Sequence, residues 1–147
     1  MKKKLGICII SIVTILLIGT CITQTIKLNK INKTIKSNFT NDLKTFASID
    51  FSKITENKQA YNISLSSISK AYSISSLMDN TVNKYDDEKQ SESLNVLIFR
   101  LHDATLNYDT SFFERLSKNE NIELLNKLIK NPLDKNTIKT TYNNIFN

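Results

Sequence analysis

Eighteen uncharged residues near the start of the chain, LGICIISIVTILLIGTCI at positions 5–22, form its longest apolar run. Beyond them the apolar positions thin to Leu28, Ile31, Ile35, Phe39, Leu43, Phe46 and Ile49. Gaps of three and four place those residues on one face of a helix. Nothing between Ile22 and Leu28 breaks a helix, so the two segments are expected to run together. Asp50 and Ser52 offer capping side chains, which predicts a break over 48–52.

The remaining stripes predict a sequence of shorter helices. Ile54, Tyr61, Leu65, Ile68, Tyr72, Met78, Val82 and Tyr85 mark one of them. Its centre, NISLSSISKAYSISS, is rich in serine, and Tyr61, Ile63 and Leu65 also alternate like a strand. A helix is preferred there because a strand must pair, and no partner strand or hairpin turn is in sight. The polar stretch YDDEKQSES, 85–93, reads as a connector, with Asp87 and Gln90 spaced as a capping box. A helix over 94–116 follows, carrying Leu94, Leu97, Leu101, Ala104, Tyr108, Phe112 and Leu116. Val96, Ile98 and Phe99 thicken its apolar face, which makes it the expected centre of the core. Ser117 and Glu120 repeat the capping-box spacing before Ile122, Leu125, Leu128 and Ile129. Asn131-Pro132 should end that helix, because the residue before proline is pushed out of the helical region. Asp134 then caps a last helix with Ile138, Tyr142, Ile145 and Phe146.

Glycine usage decides the fold class. The only two glycines, Gly6 and Gly19, lie in the apolar run, and Pro132 is the single proline. Tight hairpins rely on glycine or Asn-Gly for positive φ, and all-β domains need many of them. The expected fold is therefore all-α: an N-terminal transmembrane helix followed by a small helical bundle of four to five helices. The organisation this implies is a basic tail at 1–4, a transmembrane signal anchor at 5–23, a juxtamembrane helix at 24–50 and the bundle at 51–147.

The apolar run admits three fates. As a helix, eighteen residues reach roughly 27 Å, close to the ~30 Å hydrocarbon core of a bilayer. Ser11, Thr14 and Thr20 can hydrogen-bond to the preceding turn and so are tolerated in lipid. Lys2, Lys3 and Lys4 precede the run, the layout of a signal sequence. Cleavage would want a small-x-small site, which Thr20, Cys21, Thr23 and Gln24 do not supply. The stretch resembles a bacterial lipoprotein signal in its length and in the cysteine that closes it, Cys21. That signal has Gly, Ala or Ser immediately before the cysteine, whereas here Thr20 stands there and Gly19 one step earlier. An uncleaved anchor of a bacterial type is the reading adopted, with lipidation at Cys21 and cleavage as its alternatives. Cys8 and Cys21 are then ordinary apolar residues of the span.

Charge refines the picture. The formal net charge is +6. Without Lys2, Lys3 and Lys4 it falls to +3, and without Lys27, Lys30, Lys33 and Lys36 as well it falls to −1. The basic excess is juxtamembrane, so those last four lysines are the candidate contacts to the membrane surface, where each contributes about 1 kcal/mol beside anionic headgroups. A basic patch interleaved with aromatic residues is missing elsewhere, which argues against nucleic acid as a partner. Lysines flank the run on both sides, so the positive-inside rule alone decides little. Three packed lysines at the N-terminus are hard to translocate, and no cysteine follows Cys21. Both favour a cytoplasmic N-terminus and an extracytoplasmic bundle.

Candidate chemistry is sparse. The one histidine, His102, sits in RLHDATLNYD beside the apolar stripe. A His-Asp pair alone lacks the further ligands that a phosphohydrolase or a zinc site requires. Asp86, Asp87 and Glu88 are consecutive acids without the glycine and distal glutamate of a calcium loop. No glycine-rich phosphate loop or Gly-x-Ser-x-Gly elbow can be built after position 19. Catalytic, cofactor and metal residues are accordingly expected to be none. The role expected is a non-catalytic, membrane-anchored bundle that presents a helical surface to another protein. A homo-oligomer meeting through Leu28, Ile31, Ile35 and Phe39 is another possible arrangement. The alternative class is a sensor bundle holding a small ligand near Tyr72, Tyr108 and His102, and a reversed, cytoplasmic topology is the third.

Overall fold

The computed structural model describes residues 2–78 and 91–146, with side chains from position 13 onward. Over these residues the chain is all-helical: six α-helices, one short 3-10 helix and no strand. The α-helices are α1 (Lys2–Ala47), α2 (Lys58–Met78), α3 (Leu94–Leu106), α4 (Thr110–Leu116), α5 (Asn119–Lys130) and α6 (Lys135–Phe146), with the 3-10 helix at Phe51–Lys53. The chain divides into two compact units, Met1–Thr34 and Ile35–Asn147, and the boundary falls inside α1.

The first unit is the N-terminal part of α1. From position 13 its side chains are exposed throughout, including Ile15, Leu16, Leu17, Ile18, Ile22, Ile26, Leu28 and Ile31. Its threonines turn inward on the helix. The Thr20 hydroxyl donates to the Leu17 carbonyl at 2.8 Å, and that of Thr25 to the Cys21 carbonyl at 2.9 Å. The Thr23 hydroxyl has the Gly19 and Thr20 carbonyls within 3.1 and 2.9 Å. Such back-bonding satisfies the hydroxyl without water.

The second unit has one core. Phe39, Leu43 and Phe46 from the last turns of α1 join Phe51, Ile54, Ile68, Leu97, Leu101, Phe112, Leu116, Leu125, Leu128, Ile138 and Ile145 within it. Aromatic rings connect the elements. Phe46 lies 5.1 Å from Phe51, Phe51 stacks on Phe113 at 6.3 Å, and Phe112 meets Phe113 at 5.3 Å and Phe146 at 5.8 Å. Offset and tilted ring pairs at these separations add to the area they bury.

The helix ends follow from local chemistry. α1 stops at Ala47, and the Asp50 carboxylate accepts from the Ser52 backbone N–H at 3.2 Å to open the 3-10 helix, the break expected over 48–52. The Asn57 side-chain carbonyl accepts from Ala60 N–H at 3.0 Å at the start of α2. Ser93 caps α3 through Val96 N–H. Asn131 takes an extended conformation, φ −137° and ψ 80°, before the buried Pro132, which ends α5 as anticipated. Asp134 accepts from the N–H and the hydroxyl of Thr137, capping α6 as anticipated.

Three expectations need correction. The Ser117–Glu120 box does not form: Ser117 closes α4 with its hydroxyl on the Glu114 carbonyl, and α5 starts at Lys118 with no side-chain cap. The Glu120 charge near the N-terminus and Lys127 and Lys130 near the C-terminus favour α5 through its dipole instead. The helix foreseen over 94–116 is two helices, because the chain turns sharply at Tyr108. On α2 the fully buried face is Ser64, Ser67, Ile68, Ala71 and Ser75, while Tyr61, Leu65 and Tyr72 are half-buried. Val82, Tyr85 and the box of Asp87 and Gln90 lie outside the described residues.

Candidate functional site

The buried face of α2 is made largely of small residues. Ser64, Ser67, Ala71 and Ser75 recur at gaps of three and four, and α2 packs along α3 more extensively than any other helix pair. The Ser75 hydroxyl lies 2.8 Å from the Asn95 side-chain carbonyl, Tyr72 meets Phe99 and His102, and Tyr61 meets Tyr108. Later positions on α2 thus face earlier ones on α3, and the pair is antiparallel. Buried serine is tolerated because each hydroxyl reaches a carbonyl of its own helix: Ser64 to Tyr61 at 3.0 Å, Ser67 to Ile63 at 2.8 Å and Ser75 to Tyr72 at 2.8 Å.

The three residues proposed to line a ligand pocket are not brought together as a pocket. His102 is half-buried and stacks on Tyr72 at 5.3 Å with the rings 18° from parallel, and Phe99 lies 5.6 Å from Tyr72 on the same seam. Tyr108 belongs elsewhere, with its ring edge-on to Tyr61 at 5.0 Å and to Phe113 at 5.9 Å. An open groove of about 300 Å³ does exist between the C-terminal part of α1 and α2. It is lined by Asp42, Thr45, Gln59, Asn62, Ile63, Ser66, Ser67 and Lys70, and includes none of the three.

Two buried polar atoms in the turn from α4 to α5 have no hydrogen-bond partner among the described residues, Arg115 Nε and Asn121 Oδ1. The Asn121 amide donates to the Arg115 carbonyl at 2.8 Å, which fixes the side chain across that turn. No cluster of three or more His, Cys, Asp or Glu able to hold a metal occurs among the described residues. Asp86, Asp87 and Glu88 fall outside them.

Two carboxylates titrate low. Asp109 accepts from the Ser111 hydroxyl, the largest cause, and from Phe112 N–H at 3.1 Å, which hold its carboxyl below the ordinary 3.8 against the opposing effect of burial. Asp50 is lowered in the same way, chiefly by the Ser52 hydroxyl. Both are helix caps, so their shifts reflect structure rather than a reacting centre.

The basic residues occupy a separate region. Lys27, Lys30, Lys33 and Lys36 are all exposed, and so is the thiol of Cys21. Of the apolar run at 5–22, side chains are described for 13–22, and no helix is long and apolar enough to cross a membrane when the described residues alone are counted. The division of charge is sharp. Met1–Thr34 holds Lys2, Lys3, Lys4, Lys27, Lys30 and Lys33 and no acid, so all of the formal +6 lies there. Ile35–Asn147 carries 14 of the 20 basic residues and all 14 acids, for no net charge. No protein-family model matches the chain, and no curated protein and no solved structure matches it either.

Proposed function

We propose that the chain is a non-catalytic, single-pass membrane protein whose N-terminal helix anchors a helical bundle that binds another protein outside the cytoplasm. The observation that carries this reading is the apolar surface of α1. Val13, Ile15, Leu16, Leu17, Ile18 and Ile22 point outward on several sides of one helix, with none of the described residues covering them. In water that surface has no favourable place, whereas in lipid it needs no partner. The residues at 5–12 extend the same uncharged sequence to the length of a span. The inward-bonded threonines are what a helix in hydrocarbon requires. Lys27, Lys30, Lys33 and Lys36 then follow the span outward, with Lys27 nearest the membrane surface, and Cys21 is a residue of the span rather than a lipid attachment point.

The binding role rests on the bundle. Exposed apolar side chains recur on α3 at Phe99 and Leu106, seven positions apart on one helical face, with Phe99 beside the half-buried Tyr72. Two experiments test the proposal. Alkaline carbonate should leave the full chain in the membrane pellet, and release into the supernatant would refute the anchor. With Cys8 and Cys21 replaced by serine, an Asn126→Cys variant should react with an impermeant thiol reagent on intact cells. Protection until lysis would reverse the topology.

A further inference from the structure

We infer that the helix segment just beyond the apolar run selects anionic phospholipid, through the lysines placed at every third position along it. This rests on the anchor reading and names the lipid class that the anchor meets. Lys27, Lys30 and Lys33 are three residues apart, so each is rotated by about 60° from the last on a helix of 3.6 residues per turn. Their charges therefore share one broad side of the helix, an arc of about 120°.

Charge argues for the same occupant. A second copy of this chain aligned on the segment would set lysine against lysine, because Met1–Thr34 contains no Asp or Glu to pair with them. Phosphate-bearing headgroups supply the missing negative charge.

The lysines should act unequally. At ~1.5 Å per residue, Lys27 lies roughly 7.5 Å beyond Ile22, Lys30 roughly 12 Å and Lys33 roughly 16.5 Å. The headgroup layer is about 5–8 Å deep on each side, and charges are screened within about 8 Å at physiological salt. Lys27 is thus inside the layer, Lys30 just above it and Lys33 at the edge of its field. A lysine at the surface is worth about a five-fold lipid preference, and the effect falls off with height.

The chain has no tryptophan, so a Leu28→Trp variant carries a single fluorescent reporter at this depth. The full chain bearing it is reconstituted into phosphatidylcholine vesicles with increasing phosphatidylglycerol, and one lipid or the other is brominated. Quenching then gives the relative affinity of the two lipids beside the reporter. The expected result is a several-fold preference for phosphatidylglycerol that 0.5 M salt weakens. Lys27→Gln should reduce it most, Lys30→Gln less and Lys33→Gln least. Equal quenching by both lipids, or a preference that the substitutions leave unchanged, overturns the inference. Flotation separates this from failure of the anchor. A chain that floats only with phosphatidylglycerol vesicles, and is released by salt, refutes the span and upholds the lysine selectivity, and a chain that floats with neither refutes both.

Discussion

The Tyr108 hydroxyl donates to the backbone carbonyl of Thr55 at 3.0 Å, joining the turn between α3 and α4 to the segment that follows the 3-10 helix. Tyr108 also has φ of 54°, the one positive value outside glycine among the described residues. Asp109 N–H bonds the Ala104 carbonyl at 3.1 Å and Tyr108 N–H bonds that of Thr105 at 3.2 Å. These are the two bonds of a Schellman motif, with tyrosine at the position glycine usually takes. The left-handed conformation costs a non-glycine residue roughly 1–2 kcal/mol. The ring contacts with Tyr61 and Phe113 and the bond to Thr55 offset that cost.

A specific ordering of variants follows. Tyr108→Phe should lose no more than about 1 kcal/mol, the value of one exposed hydrogen bond. Tyr108→Gly and Tyr108→Ala both lose the ring, but alanine retains the backbone penalty, so it should be about 1 kcal/mol less stable than glycine. Denaturant unfolding of the three variants of the full chain checks this. Equal stability of the glycine and alanine variants would contradict the strained turn.

The seam between α2 and α3 should tolerate loss of polarity better than gain of volume. Ala71→Leu forces extra methylenes into a fully buried position and should cost about 1–3 kcal/mol. Ser64→Ala removes a hydroxyl bonded only to its own helix and should change stability by less than about 0.5 kcal/mol. Thermal melts of both variants, monitored by far-ultraviolet circular dichroism, measure the contrast.

How far the fold could be read from the sequence depended on what each signal was. The helical class, the break at Asp50, the Asn131-Pro132 stop and the Asp134 cap rest on composition and local hydrogen bonding, and these were legible. The division of 94–116 was hidden, because Tyr108 falls at a stripe position whether the helix continues or turns. The left-handed residue carries no glycine to announce it. Asp109, with Ser111 and Phe112 following, was the available sign of a new N-terminus. On α2 the tyrosine and leucine stripe drew attention from the serines, whose burial is decided by how close α3 comes. That distance is a tertiary fact, and serine at gaps of three and four is equally compatible with a solvated face. The candidate site was less legible still. Tyr72 and His102 do touch, but Tyr108 sits in the turn after α3 and meets Tyr61 and Phe113 instead.

The cap at Asp109 predicts a pH dependence. Its carboxyl titrates below 3.8 in the folded chain because Ser111 and Phe112 bond the ionised form. The stability it contributes is therefore complete above the unfolded value and is lost as pH falls through the folded one. Asp109→Asn retains a capping oxygen without the titration. Between neutral pH and about pH 3 the unaltered chain should lose more stability than this variant, a difference that parallel urea titrations reveal. A constant difference would assign the acid loss elsewhere.

The last turns of α1 should prove inseparable from the bundle. Phe39, Leu43 and Phe46 are completely buried in the second unit. Phe46→Ala leaves a cavity beside Phe51 and should cost about 3–5 kcal/mol, whereas Lys44→Ala on the exposed face should be within about 0.5 kcal/mol of neutral. Proteolysis rates of the two variants separate these outcomes.

The even balance of acids and bases after Thr34 has a colloidal consequence. A fragment starting at Ile35 would sit near its isoelectric point in neutral buffer, where molecules lack the mutual repulsion that keeps them apart. Severed from the cationic stalk, the bundle should cloud and precipitate most readily at neutral pH, and clear again as the buffer is made more acidic or more alkaline.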